Sequence, residues 1–221
     1  MPLSDLFSRR RRDEASPDPG AGRALVQPTR VLARFVGALS ARPDPVVIDL
    51  GPVVGPNVAF FGEELGCKII VEDLSENIDR HVRAGTLDDL PATLVGRVTQ
   101  ESETIDGVLC WDLFDYLEKP TAQRLARELV RVLRPEGVLF ALFNTSEPRQ
   151  DSGAEYTRHV VMDKARLEYR PYPATRARQR PVPNREIERL FTPLRVVEQF
   201  LLKSNVREVL LRKPAAISPG P

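Results

Sequence analysis

The sequence predicts an α/β domain built on a doubly wound, mostly parallel sheet of seven strands with a C-terminal antiparallel hairpin. Along residues 46–143, short apolar runs rich in β-branched residues alternate with amphipathic helical segments. Parallel strands covered on both faces have this continuous apolar character. Two later runs, 194–202 and 206–211, are joined by the tight Ser204-Asn205 connection that is typical of a hairpin.

Each element is predicted from its own local pattern. Strands are expected at residues 46–50, 68–71, 106–111 and 138–143, with a further strand near 94–99. Residues 157–162 show a short alternating pattern. Helices are expected at 28–39, 57–65, 75–83, 121–133 and 185–191. Gly66 and Gly85 directly follow two of these helices, where glycine commonly ends a helix.

Composition limits the possible function classes. The 221 residues carry 32 Lys and Arg against 31 Asp and Glu, so the net charge of +1 produces no global attraction to nucleic acid or membranes. Cys67 and Cys110 lie in separate apolar runs, which excludes a disulfide scaffold and fits a reducing cytoplasm. No apolar run reaches the ~20 residues of a membrane span. We therefore expect a cytoplasmic location.

The chain is expected to form one domain, residues 26–213, between two flexible tails. Residues 1–25 combine an arginine run with Pro and Gly and can bury little surface; residues 214–221 form the other tail. Within the domain, residues 146–183 are rich in Pro, Arg and Tyr and are predicted to be a substrate-covering insertion. These side chains can form a lid over an anionic substrate or contact RNA phosphates, or the segment can be a solvated loop. Nucleic acid is therefore a possible partner that the sequence does not specifically indicate.

Several common cofactor motifs are missing from the sequence. A dinucleotide loop needs a second glycine two residues after Gly51, where Val53 stands. The phosphate-binding loop and the Gly-x-Ser-x-Gly turn are absent. The His and Cys residues are isolated, so no metal site is predicted. Hydride transfer, phosphoryl transfer and metal-dependent hydrolysis therefore lack their residues.

One pattern remains after these exclusions. VVIDLGPVVG, residues 46–55, resembles the first motif of class I S-adenosylmethionine-dependent methyltransferases, in which an acid and three glycines follow the first strand of a Rossmann-like sheet. IDGVLCWDLFDYL and RLARELVRVLRPEGVLF resemble that family's fourth strand, fifth helix and turn into strand five, and the closing hairpin resembles its reversed seventh strand. The resemblance covers about residues 28–213. It implies S-adenosylmethionine as the cofactor and methyl transfer to a small-molecule or macromolecular acceptor.

The resemblance also implies a set of cofactor-binding residues. Glycine after the first strand lets the backbone approach the ligand, and the next helix N-terminus favours the methionine carboxylate. An acid after the second strand accepts hydrogen bonds from the ribose hydroxyls; Asp73 has the better spacing and Glu72 is its rival. Trp111 or Phe114 can stack on adenine, or either ring can simply belong to the core. The implied set is Asp49, Gly51, Val53, Gly55, Glu72, Asp73 and Trp111.

Two acids at the end of the predicted fourth strand are candidates for catalysis. Asp112 and Asp115 can orient or deprotonate an acceptor, or either can cap a helix. The sulfonium already carries an activated methyl group, so catalysis is expected to depend mainly on alignment of the acceptor.

The first motif also departs from the family pattern. Val53 replaces the middle glycine, Pro52 and Pro56 remove two N–H donors, and the acid expected after strand three has only Glu101 as a candidate. Two hypotheses follow: a working methyltransferase, or a non-catalytic relative that binds or regulates a partner. An open crevice lined by the acids would favour the enzyme, whereas a crevice filled by side chains would favour the relative.

Overall fold

A computed structural model describes residues 24–148 and 154–216. Most of the predicted N-terminal tail, and residues 217–221 of the C-terminal one, lie outside these ranges. The strands are β1 Leu25–Pro28, β2 Val46–Asp49, β3 Lys68–Val71, β4 Ile105–Trp111, β5 Leu133–Asn144, β6 Glu155–Asp163, β7 Arg166–Pro173, β8 Arg195–Leu201 and β9 Val206–Arg212. The α-helices are α1 Leu32–Ser40, α2 Gly55–Val58, α3 Leu74–Ala84, α4 Leu90–Arg97, α5 Lys119–Val132 and α6 Asn184–Leu190.

The main sheet confirms the predicted α/β class. Its six strands run in the order β3-β2-β4-β5-β9-β8. The first four are parallel to one another, and β9 is antiparallel to both of its neighbours, β5 and β8. The crossovers between the parallel strands carry helices, so the domain is doubly wound and ends in the predicted antiparallel hairpin.

The prediction of seven strands is wrong, because the sheet has six. Most of the segment 94–99, predicted as a strand, lies in helix α4. Leu90 and Leu94 are both buried at the four-residue spacing of a helix, and Pro91 stands in the first turn, where its missing N–H costs nothing. As a result β3 forms the edge of the sheet among the described residues, and no strand lies beyond it to carry the adenine-binding acid that the resemblance implies.

The core lies on both faces of this sheet. Every residue of β4 is buried, as expected for a central strand. On one face, α1 packs Phe35 against Phe61 and Phe140. On the other face, α3, α4 and α5 bury Ile78, Leu94, Leu125 and similar side chains in a second apolar cluster. Among the described helices, none is both long and apolar enough to cross a bilayer.

A separate antiparallel sheet, in the order β1-β7-β6, includes the hairpin formed by β6 and β7. The hairpin falls within residues 146–183, the segment predicted to cover the substrate. Asn57, just after the glycine loop, ties it to the main domain: its Nδ2 donates to the carbonyl of His159 at 2.9 Å, and its Oδ1 accepts from Val161 N at 2.8 Å. The small sheet therefore lies over the carboxyl ends of the parallel strands.

Candidate cofactor crevice

The candidate site lies where β2, β3 and β4 end. Asp49 pairs with Val71 across β2 and β3, and the N–H of Glu72 donates to the carbonyl of Asp49 at 2.8 Å. The helices α2 and α3 begin just beyond these two strands. In open parallel sheets this edge is where ligands bind. The main chain of the first motif therefore has the arrangement that the sequence resemblance implies.

Asp49, the acid of the first motif, has its hydrogen-bond partners within the chain. It is buried, and its Oδ1 accepts from Gly51 N at 3.0 Å and from Trp111 Nε1 at 2.6 Å. Burial raises the pKa of Asp49 to about 6, against the lowering effect of these two donors. The tryptophan thus supplies a donor to this carboxylate without any ligand.

Trp111 has an unusual backbone and a crowded ring. Its φ of 49° is left-handed, a conformation that costs a non-glycine residue about 1–3 kcal/mol and is held in place by surrounding contacts. The indole stacks on the ring of His159 with 5.2 Å between centroids and 4° between planes. A Cβ on Gly51 would lie 2.8 Å from Trp111 Cδ1. Glycine is therefore required at position 51 to make room for the chain's own indole.

The other two positions of the motif face open space. A Cβ on Gly55 would meet no atom within 4 Å. The side chain of Val53 is 71% exposed. Val53 therefore does not fill the crevice, although it replaces a glycine of the motif.

The two acids after β3 also have partners. Asp73 is the N-cap of α3 and accepts from Glu76 N at 3.1 Å and from Ser75 Oγ at 2.6 Å. Glu72 forms an ion pair with Arg97 at 2.5 Å. The structure thus gives each acid an internal role, while binding of a ribose by either remains a prediction.

Asp112 lies at the end of β4 beside the hairpin, and Asp112 Oδ1 is 3.9 Å from His159 Nδ1. Burial, followed by the charge of Asp115, raises the pKa of Asp112 to about 8. Burial lowers the pKa of His159 to about 3. Both groups are therefore neutral near pH 7, and in this conformation Asp112 is a protonated acid rather than a base.

Asp115 holds the end of β5. Its Oδ2 accepts from Asn144 N at 2.8 Å and from Asn144 Nδ2 at 2.6 Å. Burial raises its pKa to about 6, and the Asn144 donors oppose that rise. The catalytic roles of Asp112 and Asp115 remain predictions.

The β6–β7 hairpin is fastened to helix α3 along one side of the crevice. Asp79 Oδ1 accepts from Tyr156 Oη at 2.9 Å, from Thr175 N at 3.1 Å and from the Thr175 hydroxyl. One turn earlier on the same helix face, Ser75 Oγ lies 3.2 Å from Tyr172 Oη. These contacts place Tyr156 and Tyr172 against the crevice, with their ring centroids 5.6 Å apart.

S-adenosylmethionine does not fit the crevice in this conformation. The space left between the strand ends and the hairpin is about 20 Å³. Small-molecule sites usually enclose about 300–1,000 Å³, so this volume suits a single water molecule. The walls include Trp111, Tyr116, Tyr156 and Tyr172. Among the described residues, no group of three or more His, Cys, Asp or Glu side chains is arranged to hold a metal ion.

Sequence reasoning missed the residues that fasten the hairpin. Asn57, Asp79 and His159 were not assigned to the site, because the hairpin contacts join residues that lie 77 and 102 positions apart in the chain. One signal was available: Ser75 and Asp79 are four residues apart, so both face the same side of the predicted helix.

The family comparison agrees with the motif analysis. A model of the family described as "Methyltransferase domain" matches residues 48–141, from β2 into β5. This match confirms the resemblance to class I S-adenosylmethionine-dependent methyltransferases, and with it S-adenosylmethionine as the cofactor of that class.

One curated relative is a methyltransferase by its name. The chain is 29% identical over 162 residues to a sarcosine/dimethylglycine N-methyltransferase of Halorhodospira halochloris, a match that covers 71% of this chain and 55% of that protein. The match thus spans about half of the curated relative's length.

Two solved structures resemble the domain as well. One is a 1,6-didemethyltoxoflavin-N1-methyltransferase of Burkholderia thailandensis, with a TM-score of 0.46, 19% identity and coverage of 84% of this chain and 77% of that one. The other is the CcbJ methyltransferase of Streptomyces caelestis, with a TM-score of 0.48, 16% identity and coverage of 84% and 94%.

Proposed function

We propose that the chain transfers a methyl group from S-adenosylmethionine to an acceptor at the carboxyl edge of β2, β3 and β4, in a conformation in which the hairpin has moved away. The proposal is carried by the main-chain arrangement of the first motif. β2 and β3 end side by side, with Asp49 and Asp73 at neighbouring strand ends. The family match over residues 48–141 supports the same reaction class.

The acceptor is not specified by the residues of the crevice. The N-methyltransferase from Halorhodospira acts on sarcosine and dimethylglycine by its name, which makes amine acceptors a reasonable first set to assay. Asp112 is the acid best placed to contact an acceptor, since it lines the crevice at the end of β4. The raised pKa of Asp112 belongs to the closed crevice, because burial is its main cause.

A second candidate function is a non-catalytic relative that binds or regulates a partner. The filled crevice favours it, because Trp111, Tyr156 and Tyr172 stand where a ligand would lie. The non-catalytic function is also favoured because Asp49 and Asp73 already accept hydrogen bonds from within the chain.

Isothermal titration with S-adenosylmethionine and S-adenosylhomocysteine decides between the two functions. Binding at one site per chain, with a rise in melting temperature, is expected for the enzyme; ligand at 100 times its dissociation constant stabilises by ~2.7 kcal/mol. Absence of heat and of a melting shift at millimolar ligand, both in the natural chain and in a variant whose crevice is open, would leave only the non-catalytic relative.

A further inference from the structure

We propose that the β6–β7 hairpin closes the cofactor crevice with the chain's own rings, and that Asp79 on α3 is the latch that holds it closed. This inference rests on the proposed function for the identity of the ligand. The closure itself depends only on contacts within the chain.

Asp79 is suited to be a latch because one carboxylate oxygen accepts three donors from the covering segment. Tyr156 Oη belongs to β6, and Thr175 N and its hydroxyl follow β7, so one acid holds both strands of the hairpin. The Asp79 side chain is only 14% exposed. Hydrogen bonds to a charged, largely buried acceptor are stronger than neutral ones. Removing this carboxylate therefore releases the hairpin on the α3 side.

The rings beneath the latch fill the space that a ligand needs. Tyr156 is 3% exposed and packs edge-to-face on Tyr116, with 4.7 Å between ring centroids. Tyr116 Oη in turn donates to the carbonyl of Glu155 at 2.7 Å, at the start of β6. At the other end of the crevice, Trp111 is stacked between the glycine loop and His159 of β6. A cofactor and these rings cannot occupy the crevice together.

Closure has a thermodynamic consequence for the ligand. A site that is open for only a fraction of the time binds with an apparent dissociation constant equal to the intrinsic value divided by that fraction. A variant that raises the open fraction therefore tightens binding without changing any group that contacts the ligand. Asp79 is such a position, because its carboxylate is engaged by the hairpin.

The chain contains its own reporter of closure. Trp111 is its only tryptophan and is 4% exposed in the closed crevice. Quenching of its fluorescence by acrylamide measures how often the hairpin uncovers it, with no ligand required. We would compare the full chain with Asp79→Ala and with Tyr156→Phe, which keeps the ring and removes one donor. Glu76→Ala is the matched control, since Glu76 is an exposed acid on the same helix.

The closed hairpin predicts stronger quenching in Asp79→Ala, a smaller increase in Tyr156→Phe and no change in Glu76→Ala, with unchanged far-UV circular dichroism throughout. Equal quenching in the natural chain, Asp79→Ala and Tyr156→Phe would overturn the latch. If Asp79→Ala fails to fold, the comparison of Tyr156→Phe with the natural chain decides in the same way.

Titration with S-adenosylhomocysteine then separates this inference from the proposed function. The latch predicts binding at least about tenfold tighter in Asp79→Ala than in Glu76→Ala, a factor equal to 1.4 kcal/mol. Equal, tight binding in both would overturn the latch and leave the proposed function intact. Increased quenching in Asp79→Ala with no binding in any variant would support the latch and remove the proposed function.

Discussion

The two sheets of this protein contribute to the crevice in opposite ways. The six-stranded sheet supplies a glycine turn and acids at neighbouring strand ends, Asp49 and Asp73. The three-stranded sheet supplies rings and hydroxyls, which occupy the space beside those acids. Residues of a cofactor motif can therefore keep their positions while their partners change: Asp49 accepts from an indole, and Asp73 caps a helix. Where a motif residue lies and which group it bonds to are separate properties, and each can be tested.

The largest effect is expected at Gly51, the first of the two remaining glycines of the loop. Gly51→Ala should lower the free energy of unfolding by about 1–3 kcal/mol, since its Cβ would lie 2.8 Å from the buried Trp111 ring. Gly55→Ala is the matched control, with no atom within 4 Å of its Cβ. Urea denaturation of both variants measures the difference. Equal stability of the two would mean that the indole does not pack on the loop.

The pH dependence of stability tests the buried state of Asp112. With a pKa of about 8 when folded and 3.8 as its ordinary value, the folded chain keeps a proton that the unfolded chain has released. The free energy of unfolding therefore falls as pH rises through this range, by up to about 2 kcal/mol between pH 6.5 and 8.

The upper window isolates Asp112 from the other buried groups. The raised pKa values of Asp49 and Asp115 are both about 6, and the lowered pKa of His159 affects stability mainly below its ordinary value of 6.5. Thermal melts of Asp112→Asn should lack the decline between pH 6.5 and 8. A decline of the same size in the variant would assign it to another group.

A smaller effect distinguishes the two acids after β3. Asp73→Ala should destabilise the chain by about 1 kcal/mol, the usual value of an N-cap. Glu72→Ala removes an ion pair with the half-exposed Arg97 and should cost about 0.5 kcal/mol or less. In the Asp79→Ala background, where the hairpin is released, we also expect Asp73→Ala to weaken S-adenosylhomocysteine binding more than Glu72→Ala. Equal losses of affinity would mean that the ribose partner is misassigned.

The smallest effect is expected at Val53, which lies in solvent. Because its side chain is 71% exposed and outside the crevice, Val53→Gly should change ligand affinity by less than about tenfold, or 1.4 kcal/mol. The change in affinity is measured by titrating the Asp79→Ala variant and the double variant Val53→Gly/Asp79→Ala. A gain of tenfold or more would show that the valine obstructs the loop.

Local patterns predicted most of the main sheet and failed where two patterns compete. Apolar runs in the sequence mark β2, β3, β4 and the final hairpin, because their apolar residues follow the pattern that predicts a strand. The segment 94–99 is short and apolar, so it resembles a strand, but the spacing of Leu90 and Leu94 belongs to a helix. The candidate residues Asp49, Trp111 and Asp112 do meet at one edge, because parallel strands end together.

The α/β class, the glycine turn after β2 and the methyltransferase resemblance can be read from local patterns, because each depends on residues close together in the chain. Whether the crevice is open, by contrast, depends on contacts between distant parts of the chain. That outcome depends on Trp111 and Asp49, 62 residues apart, and on Tyr156 and Asp79, 77 residues apart. No local spacing encodes such pairs, since they form only when a separate sheet packs over the strand ends and buries its rings there.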